Sequence, residues 1–302
     1  MILNKSLNKN FLDPAVVAKI KSLELKARLV VEGFKVGLHK SPYHGFSIEF
    51  SQYRPYIQGD SIRNIDWKVF GKTEKYFIKQ FEEETNLISH ICVDTSKSMQ
   101  FKNKGSISKM DYAVILASSL LYIMNQQQDA AGLVLYSDKI EKYFPPKSNR
   151  IYLRTLLKQL SKIKTTNKTE TSLPFKEVAQ KIKKRGLIII ISDLLDEPDK
   201  IIASLKQFYS KKNEVIVFQI LDPIERNFGF DKDANFVDME TGEEIITQPH
   251  QIREGYQSAF NEYLSKIKSG CLNYGIEYNL IETSQSFDKA LISYFNKRKR
   301  LH

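Results

Sequence analysis

Apolar and polar positions alternate along the chain in two rhythms. An apolar, β-branched run through Leu87, Ile88, Ile91, Cys92 and Val93 predicts a strand. Behind it, Met110, Ala113, Val114, Ala117, Leu120, Leu121 and Met124 fall on one side of a predicted helix spanning Lys109–Gln126. A strand over 131–136 follows, and 139–144 is too close behind it to hold a crossover helix, so it is expected to turn back alongside. Helices are predicted over 151–163 and 173–184. Residues 187–191 read Leu-Ile-Ile-Ile-Ile, as in a strand covered on both faces. A helix over 198–209, a strand over 215–221, a hairpin over 236–246 around Glu240-Thr241-Gly242, a helix over 252–267, a strand over 276–281 and a helix over 287–295 complete the pattern. Strands alternating with helices build right-handed β-α-β units, so the expected fold is α/β, a doubly wound, mostly parallel sheet.

Upstream the rhythm differs. Asp13-Pro14 is a good helix start, and Val16, Val17, Ile20, Leu23, Ala27, Val30 and Val31 continue at helical spacing, with Gly33 as the expected stop. Gly37, Pro42, Gly45, Pro55, Gly59 and Gly71 then punctuate the chain, with short strand candidates at 46–50 and 76–82. The expected organisation is an N-terminal helix and small β-rich module over 1–85, then the α/β domain over 86–302.

Composition narrows the function. Of 302 residues, 42% are hydrophobic and 27% charged, as in ordinary globular proteins. The formal net charge of +11 suits an acidic partner, a nucleic acid or an anionic surface. No basic run interleaved with aromatics and no zinc-finger spacing singles out nucleic acid. Cys92 lies inside an apolar strand, which favours a buried thiol over a bridge, and the sequence opens without a secretory leader; the expected compartment is the cytoplasm. The longest aliphatic run, 187–191, is far short of a membrane span. The five histidines show no metal-ligand spacing, and neither a P-loop nor a dinucleotide-binding glycine motif is present.

The candidate chemistry sits at strand ends. The first strand closes on Asp94, Ser96 and Ser98, one carboxylate and two hydroxyls, all hard oxygen donors suited to magnesium or manganese. The same residues would serve as a helix N-cap. The aliphatic strand also ends on an acid, in Ser192-Asp193, and acids at the carboxyl ends of two central strands converge on one crevice. Thr171, just before a helix, either caps it or lends its hydroxyl to that crevice. In this order and context, Asp94, Ser96, Ser98, Thr171 and Asp193 resemble the metal-ion-dependent adhesion site of von Willebrand factor A domains. The resemblance implies a bound Mg2+ or Mn2+ with an open position for an acidic side chain of a protein ligand. Glycines often precede the family's threonine, whereas this chain has Thr169-Glu170-Thr171, so Thr169 and Thr165 are the alternatives.

A second resemblance covers the upstream module. Arg54, Tyr56, Gly59-Asp60, Arg63 and Ile65-Asp66-Trp67 resemble the signature of the bacterial family known as domain of unknown function 58. Physically, Arg54, Asp60, Arg63 and Asp66 read as a charge-paired clamp anchored by Trp67, or as a partner-binding or anion-binding surface. The resemblance implies a non-enzymatic adaptor acting with a MoxR-type AAA+ ATPase in protein maturation or remodelling. The alternatives are a magnesium-dependent phosphoesterase, which wants a second aspartate where Ser96 stands, and a basic nucleic-acid or membrane-surface binder.

Overall fold

The computed structural model describes residues 13–39, 53–56, 65, 67–79, 87–103, 107–163, 172–182, 184–230, 234–237 and 244–300. Its centre is a six-stranded sheet. The strands are β3 (Ile88–Asp94), β4 (Ala130–Tyr136), β5 (Ile140–Lys147), β6 (Leu187–Ser192), β7 (Glu214–Leu221) and β10 (Glu277–Glu282), following a short upstream pair described below. Their spatial order is β10-β7-β6-β3-β4-β5. All neighbours are parallel except β4 and β5, which pair antiparallel at the edge, as the short connection requires. Gly132 permits that edge: a Cβ there would lie 2.7 Å from the Phe144 carbonyl oxygen, where the β4–β5 register shifts.

Helices cover both faces, so each central strand is apolar on alternate residues in both directions. On one face Ile91 and Val93 of β3, Leu133 and Leu135 of β4, and Ile189 and Ile191 of β6 pack under α4 (Lys109–Gln126), α5 (Arg150–Leu160) and α10 (Asp288–Lys299). On the other, Cys92, Val134, Ile188, Ile190 and Val217 meet α6 (Ser172–Lys181), α7 (Pro198–Ser210) and α9 (Pro249–Asn273). All six residues of β6 are buried, and this is why its sequence shows no alternation. This is the doubly wound, mostly parallel sheet expected. Both cysteines are buried free thiols. Among the described residues no helix is long and apolar enough to cross a membrane.

The leading helix departs from expectation. It is two helices, α1 (Pro14–Ala18), capped by Asp13 on the amide of Ala15 at 2.8 Å, and α2 (Leu23–His39). Ser22 receives the Leu25 amide at 3.3 Å and restarts the chain there. Gly33 does not stop α2. The helix continues because Val30, Val31 and Phe34 are buried in the core beneath α4, and the Phe34 ring stacks on Phe295 at 5.6 Å.

Between α2 and the sheet, β1 (Tyr53–Pro55) pairs antiparallel with β2 (Phe77–Lys79), and α3 (Trp67–Thr73) lies between them in sequence, where no helix was expected. Phe70 stacks on Tyr76 at 4.5 Å and takes Trp67 edge-on at 6.0 Å, which gives that turn of helix an aromatic anchor. The strand candidate at 46–50 lies outside the described residues. The expected hairpin is present as β8 (Ala234–Val237) against β9 (Glu244–Thr247); its turn lies outside the described residues. The helix that follows α7 and β7 is α8 (Pro223–Asn227).

Candidate ion site at the switch point of the sheet

Chain order reverses between β3 and β6: from β3 the chain runs outward to β4 and β5, whereas β6, β7 and β10 extend the other way. Side chains at the carboxyl ends of these two strands therefore face a crevice that no crossover fills. Asp94 ends β3 and Asp193 follows β6, and both are fully buried, as is Ser96. Ser98 is half-buried and forms the open side.

Hydrogen bonds fix each donor. Asp94 accepts the Ser96 amide on Oδ1 at 2.9 Å and the Ser192 hydroxyl on Oδ2 at 2.6 Å. Ser192 in turn receives the Leu194 amide at 2.9 Å. Leu194 holds a left-handed φ of 52°, a conformation costly for a leucine, and the Tyr263 hydroxyl donates to its carbonyl. The Gln219 amide donates to the Asp193 carbonyl at 2.7 Å. The loops that carry the two acids are thus tied to the strands beneath them.

The oxygens suit a small hard cation. Ser96 Oγ and Ser98 Oγ are 3.0 Å apart. Adjacent ligands of an octahedral magnesium ion, each about 2.1 Å from the metal, stand about 3.0 Å from one another. Burial, and then the charge of Asp193, push the Asp94 carboxyl up to about 7, against the pull of its Ser192 and Ser96 hydrogen bonds. Two carboxylates facing one buried crevice need a cation. Beside them Tyr136 Oη, at the end of β4, is buried with no hydrogen-bond partner among the described residues. Burial, then Asp94, raise that phenol's pKa well above the ordinary value. Among the described residues no cluster of three or more His, Cys, Asp or Glu side chains could hold a metal, so the donor set rests on two carboxylates and hydroxyls. Thr171, Thr169 and Thr165 lie outside the described residues.

One cation is already present. Lys109, the first residue of α4, is fully buried, and its Nζ lies 2.8 Å from Asp193 Oδ2 and 2.6 Å from Glu225 Oε1. Burial alone would drive its pKa down, but Asp193 and Glu225 reverse this and raise it, so the ammonium stays charged. A lysine in the first turn of a helix opposes the helix dipole, which makes its carboxylate partners the reason for its place. Glu225 comes from α8, where Asp222 caps the Ile224 amide at 3.0 Å and Glu225 Oε2 receives the Asp222 amide at 2.8 Å.

The family model described as "Protein of unknown function DUF58" matches residues 52–264, more than two thirds of the chain. The chain belongs to the DUF58 family. Similar curated proteins include the uncharacterized proteins Rv1480 of Mycobacterium tuberculosis and Mb1516 of Mycobacterium bovis. Each is 24% identical over 233 residues, 76% of this chain and 73% of the relative. Among solved structures, BatB from Bacteroides thetaiotaomicron is similar at 18% identity with a TM-score of 0.46, covering 70% of this chain and 98% of that one. The SpRpn10 VWA domain is similar at 11% identity with a TM-score of 0.40, covering 68% and 94%.

In this DUF58 chain, the structure brings together Asp94, Ser96, Ser98 and Asp193 from the sequence reading. Of the upstream signature, Gly59, Asp60, Arg63 and Asp66 lie outside the described residues, as does the Arg54 side chain; Ile65 is buried, Tyr56 half-buried and Trp67 57% exposed. Sequence reasoning missed Ser192, Tyr136, Lys109 and Glu225. Two signals were available: a lysine directly after the Ser108 cap, where an acid is favoured, and Asp222-x-x-Glu225 closing an apolar strand.

Proposed function

We propose that this DUF58 protein is a non-enzymatic, divalent-ion-dependent protein-interaction module. Asp94, Ser96 and Ser98 would hold Mg2+ or Mn2+, with Asp193 and a threonine, Thr171 by its place in the motif, completing the shell. A bound ion would supply a Lewis-acid position for an acidic side chain of a protein ligand. The observation that carries the reading is the pair of hydroxyls 3.0 Å apart beside two buried acids at the switch point of the sheet. A MoxR-type AAA+ ATPase is the proposed partner, on the strength of the family resemblance, with protein maturation or remodelling as the shared task. The positive balance of the chain favours an acidic partner, and a cytoplasmic setting goes with that role.

Two measurements test it. Calorimetric titration of Mg2+ into wild type and Asp94→Ala should give one site in the first and none in the second; equal binding would end the metal reading. A pull-down of a MoxR-type AAA+ ATPase from the same cells should succeed with Mg2+ and fail with EDTA or with Ser96→Ala. Retention under both conditions would remove the ion from the interaction.

A further inference from the structure

We infer that Lys109 is a positioning residue that ties up one oxygen of Asp193, leaving the ion short of negative ligands and therefore ready for an external carboxylate. The inference rests on the ion-site reading above. Asp193 has two carboxylate oxygens. Oδ2 is bound to the Lys109 ammonium at 2.8 Å, with both side chains wholly buried, and Oδ1 meets only the distant Leu195 amide at 3.5 Å among the contacts resolved. Lys109 is itself fixed from behind by Glu225 at 2.6 Å and lies over the Phe101 ring at 5.7 Å. Glu225 is locked by its capping bond to Asp222, so the ammonium has little room to retreat.

The consequence is electrostatic. A carboxylate that shares its charge with a buried ammonium is a poorer metal ligand than one left to the metal. An ion in the crevice then has Asp94 as its one undivided negative ligand, and its remaining charge draws an anion into the open position. Freeing Asp193 would tighten the grip on the ion and satisfy it internally. Metal affinity and anion affinity should therefore move in opposite directions.

The test separates freed oxygen from altered net charge. Lys109→Met alone leaves two buried carboxylates without their cation and risks misfolding. The paired variant Lys109→Met with Glu225→Gln removes one positive and one negative charge, so the crevice keeps its balance. The probes are Mn2+, followed by calorimetry, and acetate, followed by broadening of its methyl proton resonance when it reaches protein-bound Mn2+. The paired variant should bind Mn2+ about tenfold more tightly than wild type, while the acetate broadening at saturating Mn2+ is lost. Unchanged Mn2+ affinity, or broadening equal to wild type, would overturn the role of Lys109. Asp94→Ala, measured alongside, keeps the two readings apart: if it binds Mn2+ like wild type, the ion site itself fails, whereas loss of binding in Asp94→Ala with no change in the paired variant removes Lys109 alone.

Discussion

Asp94→Asn should make the metal-free protein more stable at alkaline pH and at the same time deaf to magnesium. Asp94 is fully buried, and burial, with Asp193 nearby, holds its carboxyl at about 7, against 3.8 for an ordinary aspartate. The folded carboxyl thus keeps its proton more tightly than the unfolded one. Its contribution is intact below pH 4 and is lost progressively as pH rises to 7. At about 1.4 kcal/mol per pH unit, the gap corresponds to roughly 4 kcal/mol of stability forgone above neutrality. Asparagine cannot ionise and avoids that loss. It also presents an amide nitrogen to either Ser192 or Ser96, at a cost of about 1 kcal/mol for the imperfect hydrogen bond. The net gain should be about 3 kcal/mol at pH 8 in EDTA, and it should disappear near pH 4. Urea titrations at the two pH values measure it. Magnesium at one hundred times its dissociation constant should then add about 2.7 kcal/mol to wild type and nothing to the variant. A variant less stable than wild type at pH 8 in EDTA, or one that magnesium stabilises equally, would refute the reasoning.

Three further outcomes follow from the structure. His90 is buried and burial lowers its pKa to about 4, so the unfolded state takes up a proton from pH 6.5 downward while the folded state does not. Stability should fall by roughly 3 kcal/mol between pH 6.5 and pH 4, and His90→Gln should flatten that slope in urea titrations; an identical slope would exclude His90. Ser192→Ala removes the 2.6 Å bond to Asp94 and leaves Ser96 alone to hold its carboxylate, so Mg2+ affinity at pH 7 should drop about tenfold by calorimetry. Phe34→Ala should cost about 3–5 kcal/mol in urea unfolding, because the ring is buried and stacked on Phe295; a cost under about 1 kcal/mol would mean α2 is not part of the core.

The sheet was legible because its strands had to be buried on both faces. Five consecutive aliphatic residues at 187–191 have no other economical explanation, and the acid that follows is the one polar residue the crevice wants. The same argument places Asp94. Gly33 misled for the opposite reason: glycine costs a helix about 1 kcal/mol, a local signal that the burial of Phe34 in a core built from residues some 260 positions later outweighs. Lys109 was hidden by distance. It stands 84 residues from Asp193 and 116 from Glu225, so its place directly after the Ser108 cap marks it as unusual for a helix start without naming its partners. Its partners are specified only when the sheet forms.

That hidden lysine changes what the crevice demands. Asp94, Asp193 and Glu225 offer three carboxylates and Lys109 one ammonium. Without an ion the ionised crevice holds two uncompensated negative charges in a region of low polarity, which repels any acidic ligand at short range. The surrounding protein is strongly basic and attracts the same ligand from afar. On the proposed reading these fields agree only when a divalent ion occupies the crevice and cancels its excess. The ion is then a condition for contact as well as a ligand within it. Salt should therefore weaken the approach of an acidic partner in every state, whereas chelation should abolish the final contact even at low salt. Measuring association across ionic strength, with magnesium and with EDTA, distinguishes this arrangement from simple attraction between a basic protein and an acidic one, in which chelation would leave the low-salt affinity unchanged.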